Sequence, residues 1–511
     1  PSFPFEIGTQ FVKKQSFFAN LRARLSPRPV LQEFAVPYEK EEGSLVTMET
    51  AKEHSVEYQN PIITGVIWKQ LLAFFFPILL GTFFQQLYNT VDAIIVGQFV
   101  GKQALAAVGG VTGTLINLLV NLFVGIASGT TVVVAQKYGA ADRDGVRHTV
   151  HTSVAMAFVG GALLMAVGFA AARPVLAAMG TPQDVMEYAT TYMTVYLTGV
   201  IPSFLYNIGA GVLRAVGDTK RPLYFLIVAC LCNIVLDILL VVVLHLGVLG
   251  VGIATVISQV VSAVLVVLAL MRTPHSFRLN WREVRFQRAA LLAVLAIGIP
   301  AGIQSNMYAI SNVLIQAGMN SFGTDVVAAW TAFGKIDGFF WMISGAYGIS
   351  ITTFAGQNFG AGRMDRVQKS VRVCTLLTIG TAILFSIIMC GFSAPLLGIF
   401  TADTAVMEIG KVMIMYMSPY YAAFVLVEVL SGAIRGCGDA LKPMIITGSG
   451  ICLLRVVWLF TVLPYYRSFT TILVSYPVSW VLTSILFLIY YRHGSWMKNK
   501  NAANVPQEET L

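Results

Sequence analysis

The chain has 511 residues, of which 56% are hydrophobic and 12% charged, with a formal net charge of +9. A soluble domain carries roughly 25% charged residues, so this composition excludes a soluble enzyme and points to an all-α polytopic membrane protein. The positive balance could suggest nucleic acid, but the basic residues sit in short loops between apolar runs, so no nucleic-acid partner is expected.

Residues 1–65 are polar and contain no apolar core of a signal peptide. They read as a disordered extension, with Met48 a natural start, or alternatively as a targeting arm. Twelve apolar runs follow, at 68–98, 104–134, 147–171, 185–213, 222–244, 247–271, 288–317, 326–354, 369–393, 406–434, 442–464 and 469–491. The expected organisation is a first lobe at 66–271, an inter-lobe loop at 272–287, a second lobe at 288–491 and a tail at 492–511.

In the first run, Gln85, Tyr88, Asn89 and Asp92 fall at i, i+3, i+4 and i+7 and share one helix face. An aspartate at the centre of a membrane helix costs about 2.5–3.5 kcal/mol on insertion scales, so Asp92 is a functional candidate by default. Pro77 lies on the same helix and Pro300 on the seventh. Proline removes a backbone donor, so both are candidate bending points.

The fifth run places Asn233 and Asp237 at i, i+4, and the sixth offers Thr255, Ser258 and Gln259. Asp92, Asn233, Asp237 and Thr255 form an oxygen-only set, which suits sodium or a proton and is poor for zinc or copper. Asn233 and Thr255 would serve equally as polar contacts between helices. In the second half the seventh run carries Gln304, Tyr308, Ser311 and Asn312. Further charges are Lys335 and Asp337 in the eighth run, Glu428 in the tenth and Arg455 in the eleventh. These read either as internal ion pairs or as substrate-contacting and gating groups. The six cysteines, nearly all inside apolar runs, show neither metal spacing nor a disulfide framework and are expected to be small buried residues.

Basic residues set the topology. Lys137, Arg143 and Arg147 follow the second run, five arginines lie between Arg272 and Arg288, and the other even-numbered loops and the tail are similarly basic. The odd-numbered loops hold only Lys102, Arg173, Lys411 and Arg467. The positive-inside rule then puts both termini in the cytoplasm of a plasma-membrane protein.

Two pairs of loops repeat. AQKYGAADRDGV at 135–146 matches GQNFGAGRMDRV at 356–367, and GVLRAVGDTKRP at 211–222 matches GAIRGCGDALKP at 432–443, both at an offset of 221. Each repeat holds six helices, so the halves share one orientation about an axis along the membrane normal. The Arg-x-x-Gly-Asp segments read as tight turns in which the aspartate caps a helix or pairs with a base, since no phosphate-binding Gly-x-x-x-x-Gly-Lys motif precedes them. The same offset aligns Leu454 with Asn233 and Trp458 with Asp237, so the acid pair is not repeated.

Two six-helix repeats, LYNTVDAIIVG, the repeated Gln-x-x-Gly-Ala loops and the Arg-x-x-Gly-Asp loops together resemble the multidrug and toxic compound extrusion (MATE) family over about residues 62–495. The resemblance implies two six-helix bundles around a central cavity and export of organic cations or amphiphilic drugs against inward proton or sodium flux. It also implies a cation site at Asp92, Asn233, Asp237 and Thr255. One branch of the family places acids in the second lobe instead; that scheme fits poorly, although Asp337 and Glu428 keep it open. No enzyme activity and no cofactor beyond the coupling ion are expected, and the partners are the lipid bilayer and small, cationic organic substrates, with the chain working as a monomer. The alternative is a lipid or lipid-linked oligosaccharide flippase of the same superfamily, for which a more basic cavity is expected; a membrane enzyme or receptor lacks any supporting constellation.

Overall fold

In a bilayer, helices satisfy every backbone N–H and C=O within the segment itself. The computed structural model describes residues 60–496, and among these the chain forms helices and connecting turns. The first half contains α1 (Ile67–Val100), α2 (Lys102–Gly139), α3 (Arg143–Ala178), α4 (Gln183–Thr198 with Val200–Ala215), α5 (Lys220–Val243) and α6 (Gly247–Arg272). The second contains α7 (Arg288–Asn320), α8 (Thr324–Gly360), α9 (Met364–Gly391), α10 (Thr404–Gly436), α11 (Leu441–Thr461) and α12 (Phe469–His493). Eleven are single spans, and α4 is bent by 49° where Gly199 separates its segments, which gives the twelve expected crossings.

Several helices extend past the apolar runs because polar residues cap their ends. Asp142 Oδ1 accepts from Gly145 N (2.8 Å) at the start of α3, and Ser468 Oγ accepts from Thr470 N (3.2 Å) at the start of α12. Residues 60–65 depart from the expected disordered extension. Pro61–Thr64 form a capped helical turn whose Ile62 is buried. Arg366 donates to the carbonyls of Ile62 (3.1 Å) and Gly65 (2.8 Å), which fixes this turn to α9. The rest of the extension and most of the tail lie outside the described residues. The six cysteines are free; four are buried and Cys232 and Cys390 half-buried.

Since each span reverses direction, the even-numbered loops gather at one end, the basic end. There the repeated loops grip each other across the two halves. Gln136 Nε2 donates to the Gly436 carbonyl (2.8 Å), and Gln357 Nε2 donates to the Ala215 carbonyl (2.5 Å). Both donors and both acceptors are 221 residues apart, so the two bonds are pseudo-symmetric. A Cβ on Gly139 or Gly360 would collide with the opposing carbonyl of Gln357 or Gln136, which is why glycine stands at both. The Arg-x-x-Gly-Asp turns behave as expected. Gly217 and Gly438 take φ of +101° and +99°, a region that favours glycine. Asp218 and Asp439 then accept from Arg221 N (3.1 Å) and Lys442 N (3.2 Å) at the starts of α5 and α11.

The halves also meet along two seams of different make. On α2 and α7, Gly125 and Gly129 face Gly302 and Gly298 so closely that a Cβ on Gly125 would overlap the Gly302 backbone. Each pair is a Gly-x-x-x-Gly motif, which lets helix backbones approach where lipid supplies no hydrophobic drive. On α1 and α8 the contact is made by rings: Phe74 meets Phe354 edge-on at 5.8 Å, and Phe75 stacks on Tyr347 at 4.1 Å. The helices of α1 and α7 run through Pro77 and Pro300 without interruption.

Candidate cation and substrate sites

Three of the four oxygen-bearing residues of the first half adjoin one another, and Thr255 is linked to them through Tyr192. Asp92 adjoins Asp237 and Asn233. Tyr192 of α4 lies beside Thr255 and near Asp92. Asp92, Asn233, Asp237 and Thr255 are all buried, the middle two completely. Asp92 Oδ1, both Asp237 oxygens and both polar atoms of Asn233 are buried without a well-formed hydrogen bond. Thr255 donates its hydroxyl hydrogen to the Val251 carbonyl (2.9 Å), which leaves its lone pairs available.

Two adjoining carboxylates in a low-dielectric interior repel strongly, and a proton held between them or a cation on their oxygens removes that repulsion. The residues therefore suit either occupant. Local winding changes near the site: α5 changes to π-helix over Ile238–Val243 directly after Asp237, and α1 does so over Val96–Val100, one turn after Asp92; α11, which carries no acid, makes the same change over Gly448–Leu453. Such π-segments are frequent at functional positions.

The rest of the first-helix stripe leads away from the acids. Tyr88 is half-buried beside Asp92 and Gln85, while Gln85 and Asn89 are exposed. Pro77 is 92 − 77 = 15 residues from Asp92, about 22 Å along a helix, so any bend there acts on the acid from a distance. Tyr192 and Tyr196 were not legible as site residues. Their i, i+4 spacing on α4 was the available signal, and Tyr196 packs near Gln259, whose Oε1 is buried without a partner.

A cavity of about 590 Å³ opens on the second half, lined by α7, α8, α10, α11 and α12 and closed on one side by α2 of the first half. Gln304, Tyr308 and Asn312 present one face of α7 to it. Gln304 also donates to Thr447 Oγ1 (3.0 Å) and Ser431 Oγ (3.4 Å), so it ties α7 to α10 and α11. Asp337 and Glu428 line the cavity, as do Arg435 and Arg455. Asp337 is held on both oxygens, by Trp341 Nε1 (2.6 Å) and by the Tyr421 hydroxyl.

Of the two readings of these charges, internal ion pairing is not found. None of Lys335, Asp337, Glu428 and Arg455 lies within 4.0 Å of an opposite charge among the described residues. Lys335 is not a buried charge: residues two apart point to different sides of a helix, so the burial of Asp337 turns Lys335 outward, where it is exposed and off the cavity wall. Trp458, aligned with Asp237, donates from Nε1 to the Thr471 carbonyl (2.9 Å).

The MatE family model matches residues 77–239 and 300–461. A probable multidrug resistance protein of Bacillus subtilis, YoeA, is 26% identical over 455 residues, covering 86% of this chain and 98% of that protein. A probable multidrug resistance protein of Thermotoga maritima, NorM, is 24% identical over 442 residues, covering 84% and 94%. Among solved structures, an outward-facing multidrug resistance MATE family transporter superposes with a TM-score of 0.80 at 19% identity, covering 88% of this chain and 99% of that one. A transporter of the MOP superfamily from Pyrococcus furiosus, described as having a binding pocket of reverse polarity, gives 0.79 at 19% identity with 87% and 98% covered. These superpositions establish the shared twelve-helix architecture.

Proposed function

The chain belongs to the MatE family, and we propose that it is a secondary active exporter of organic cations or amphiphilic drugs, exchanged for protons or sodium ions. The observation that carries this reading is the meeting of Asp92 and Asp237, with Asn233 and Thr255 as neutral oxygen donors, on helices of one half only. The names of the relatives as multidrug resistance proteins support the class of cargo.

In this mechanism the basic end faces the cytoplasm, as the positive-inside rule requires. With the Gln136 and Gln357 bonds made, the halves are closed at that end. The acid pair takes up its proton or sodium ion from outside, which neutralises the negative charge that draws a cationic substrate to Asp92 and the neighbouring Tyr88. Substrate leaves, the basic end opens, the ion departs inward and the restored carboxylates accept new substrate. Coupling needs only that ion and substrate prefer different states. The cycle calls for no cofactor beyond the ion, and all its residues lie in one chain, so a monomer suffices.

The test is dye efflux from proteoliposomes with the sodium and proton gradients imposed separately. Wild-type protein is expected to respond to one of them, and Asp237→Asn and Asp92→Asn to lose that response. Efflux that stays gradient-dependent in both variants would overturn the assignment. The flippase reading finds some support in Arg435 and Arg455 on the second cavity; lipid scrambling by the same proteoliposomes without dye efflux would favour it.

A further inference from the structure

The cavity of the second half contains a charge that the exchange cycle does not use. Arg455 is 2% exposed, yet it lines the cavity. Its guanidinium lies over the Tyr476 ring at 3.8 Å and near the Trp480 ring at 5.8 Å. Its Nε donates to Ser479 Oγ (3.0 Å), and its Nη2 is buried with no partner. A guanidinium has five N–H donors in a rigid fork. One is used here, and the rings clamp the plane so that the remaining edge has a fixed direction.

A structural role would bring a carboxylate to this edge. The two acids of the cavity do not supply one. Asp337 is tied to Tyr421 and Trp341, and Glu428 makes no hydrogen bond among the described residues, while neither is within 4.0 Å of Arg455. The repeat sharpens the point. Subtracting 221 places Tyr476 at Thr255 and Arg455 at Ile234, the residue after Asn233. The region that gathers two acids in the first half therefore holds an unpaired guanidinium in the second.

We propose that Arg455 is a specificity-determining residue of the second-half cavity, and that its free edge selects, among amphiphilic cations, those that also carry a carboxylate. The carboxylate meets the free edge of Arg455, the cationic group is balanced by Glu428, and the aromatic body packs among Tyr308, Trp330 and Tyr476. A volume of about 590 Å³ fits a drug-sized ligand. A bidentate guanidinium–carboxylate contact is directional and charge-assisted, so it discriminates between an acid and its ester. This inference rests on the export reading and names a specificity-determining residue within it.

The experiment uses a matched pair of probes on the purified full chain: a rhodamine free acid, which is a zwitterion, and its ethyl ester, which is a simple cation. Fluorescence anisotropy is expected to show the free acid binding more tightly. Arg455→Gln should collapse the ratio of the two affinities by about ten-fold or more, and Arg455→Lys should restore part of it. An unchanged ratio in Arg455→Gln would overturn the proposal. If that variant does not fold, competition in the wild-type protein decides: benzoate should displace the free acid and spare the ester, and equal or absent displacement of both overturns the proposal. Displacement of the free acid by a short-chain phosphatidylethanolamine but not by benzoate would assign the edge to a lipid headgroup and overturn the soluble-substrate class. Gradient-driven efflux of the ester by the wild-type protein is measured in parallel: an unchanged ratio in Arg455→Gln with that efflux present overturns this subsite alone, and absence of that efflux overturns the export reading.

Discussion

The two halves of the molecule agree at the basic end, where they grip each other, and disagree in the membrane core. At the basic end the agreement reaches single atoms: Gln136 to Gly436 and Gln357 to Ala215 are the same bond drawn twice, 221 residues apart. In the membrane core, Asn233 and Asp237 correspond to Leu454 and Trp458, and Thr255 to Tyr476. The seams differ as well: Gly125 on α2 corresponds to Ala346 on α8, and the glycine contact of one seam is an aromatic stack in the other. The repeat therefore preserves what holds the halves together at one end. The acids are dispensable to the fold, since the second half folds with an indole in place of Asp237.

That contrast is broken most severely by removing charge from each half in turn. Asp237→Asn is expected to abolish the ion dependence of dye efflux. Asp337→Asn and Glu428→Gln are expected to change which dyes are moved while efflux keeps its response to the gradient. Proteoliposome efflux reads all three variants. Loss of ion dependence in the second-half variants alone would transfer the coupling site to the other bundle.

A second test imposes one half's seam on the other. Gly125→Ala gives α2 the residue that α8 already has at Ala346, and its Cβ would overlap the Gly302 backbone. Backbone cannot yield as a side-chain end can, so overpacking should cost about 1–3 kcal/mol or more, visible as a lowered thermal midpoint in detergent. The control is Gly345→Ala on α8, where a Cβ meets nothing within 4 Å; it should shift stability by less than about 0.5 kcal/mol. Equal shifts would mean that the α2–α7 backbones at Gly125 are not in close contact.

The sequence made the span count, the repeat and the four oxygen donors legible because each rests on local periodicity or on a fixed offset. Asp92, Asn233 and Asp237 stood out because a bare carboxylate in an apolar run is expensive wherever the helix packs. What stayed hidden depends on which helix faces which. GIASG at 125–129 and GIPAG at 298–302 were readable as Gly-x-x-x-Gly, but nothing in either run says that they meet. The repeated glutamines were visible as motifs, and their cross-half acceptors were not, because the acceptors are backbone carbonyls and leave no side-chain signature. Lys335 was misplaced because hydropathy puts a residue at a depth and gives no facing direction.

A smaller effect tests the symmetric end. Gln136→Ala removes one cross-half hydrogen bond of about 1 kcal/mol, which is about five-fold in the ratio of closed to open molecules. Gln357→Ala removes two, because Asn60 Nδ2 also donates to Gln357 Oε1 (2.7 Å). The second variant should therefore open the basic end further, as read by the distance between spin labels at 144 and 365. With Asn60→Ala as the background, the two variants should become equal. A difference that persists would show that the halves are unlike even at the end where their backbones agree.

The smallest effect concerns the linker between the halves, which among the described residues is hydrogen-bonded to α3 of the first half. Asn280 N donates to His151 Nε2 (3.0 Å), and Gln287 N donates to Thr152 Oγ1 (3.1 Å), so the linker is fastened to α3 of the first half. Arg147 closes the contact with two bonds to Glu283, each 2.5 Å. These bonds from Arg147 pull the Glu283 carboxyl from its ordinary 4.5 down to about 2. A depressed acid stabilises its contact fully above its free value, and that contribution is lost as pH falls through the folded value. The pair is exposed, so the contribution is small. Pepsin cleavage around Trp281 and Phe286, taken as the ratio of wild type to Glu283→Gln, should be lowest at the upper end of pepsin's range. It should rise toward one as pH falls from 4.5 to about 2. A ratio independent of pH would mean that the backbone bonds to His151 and Thr152 hold the linker by themselves, and that it follows the first half whatever the charge on Glu283.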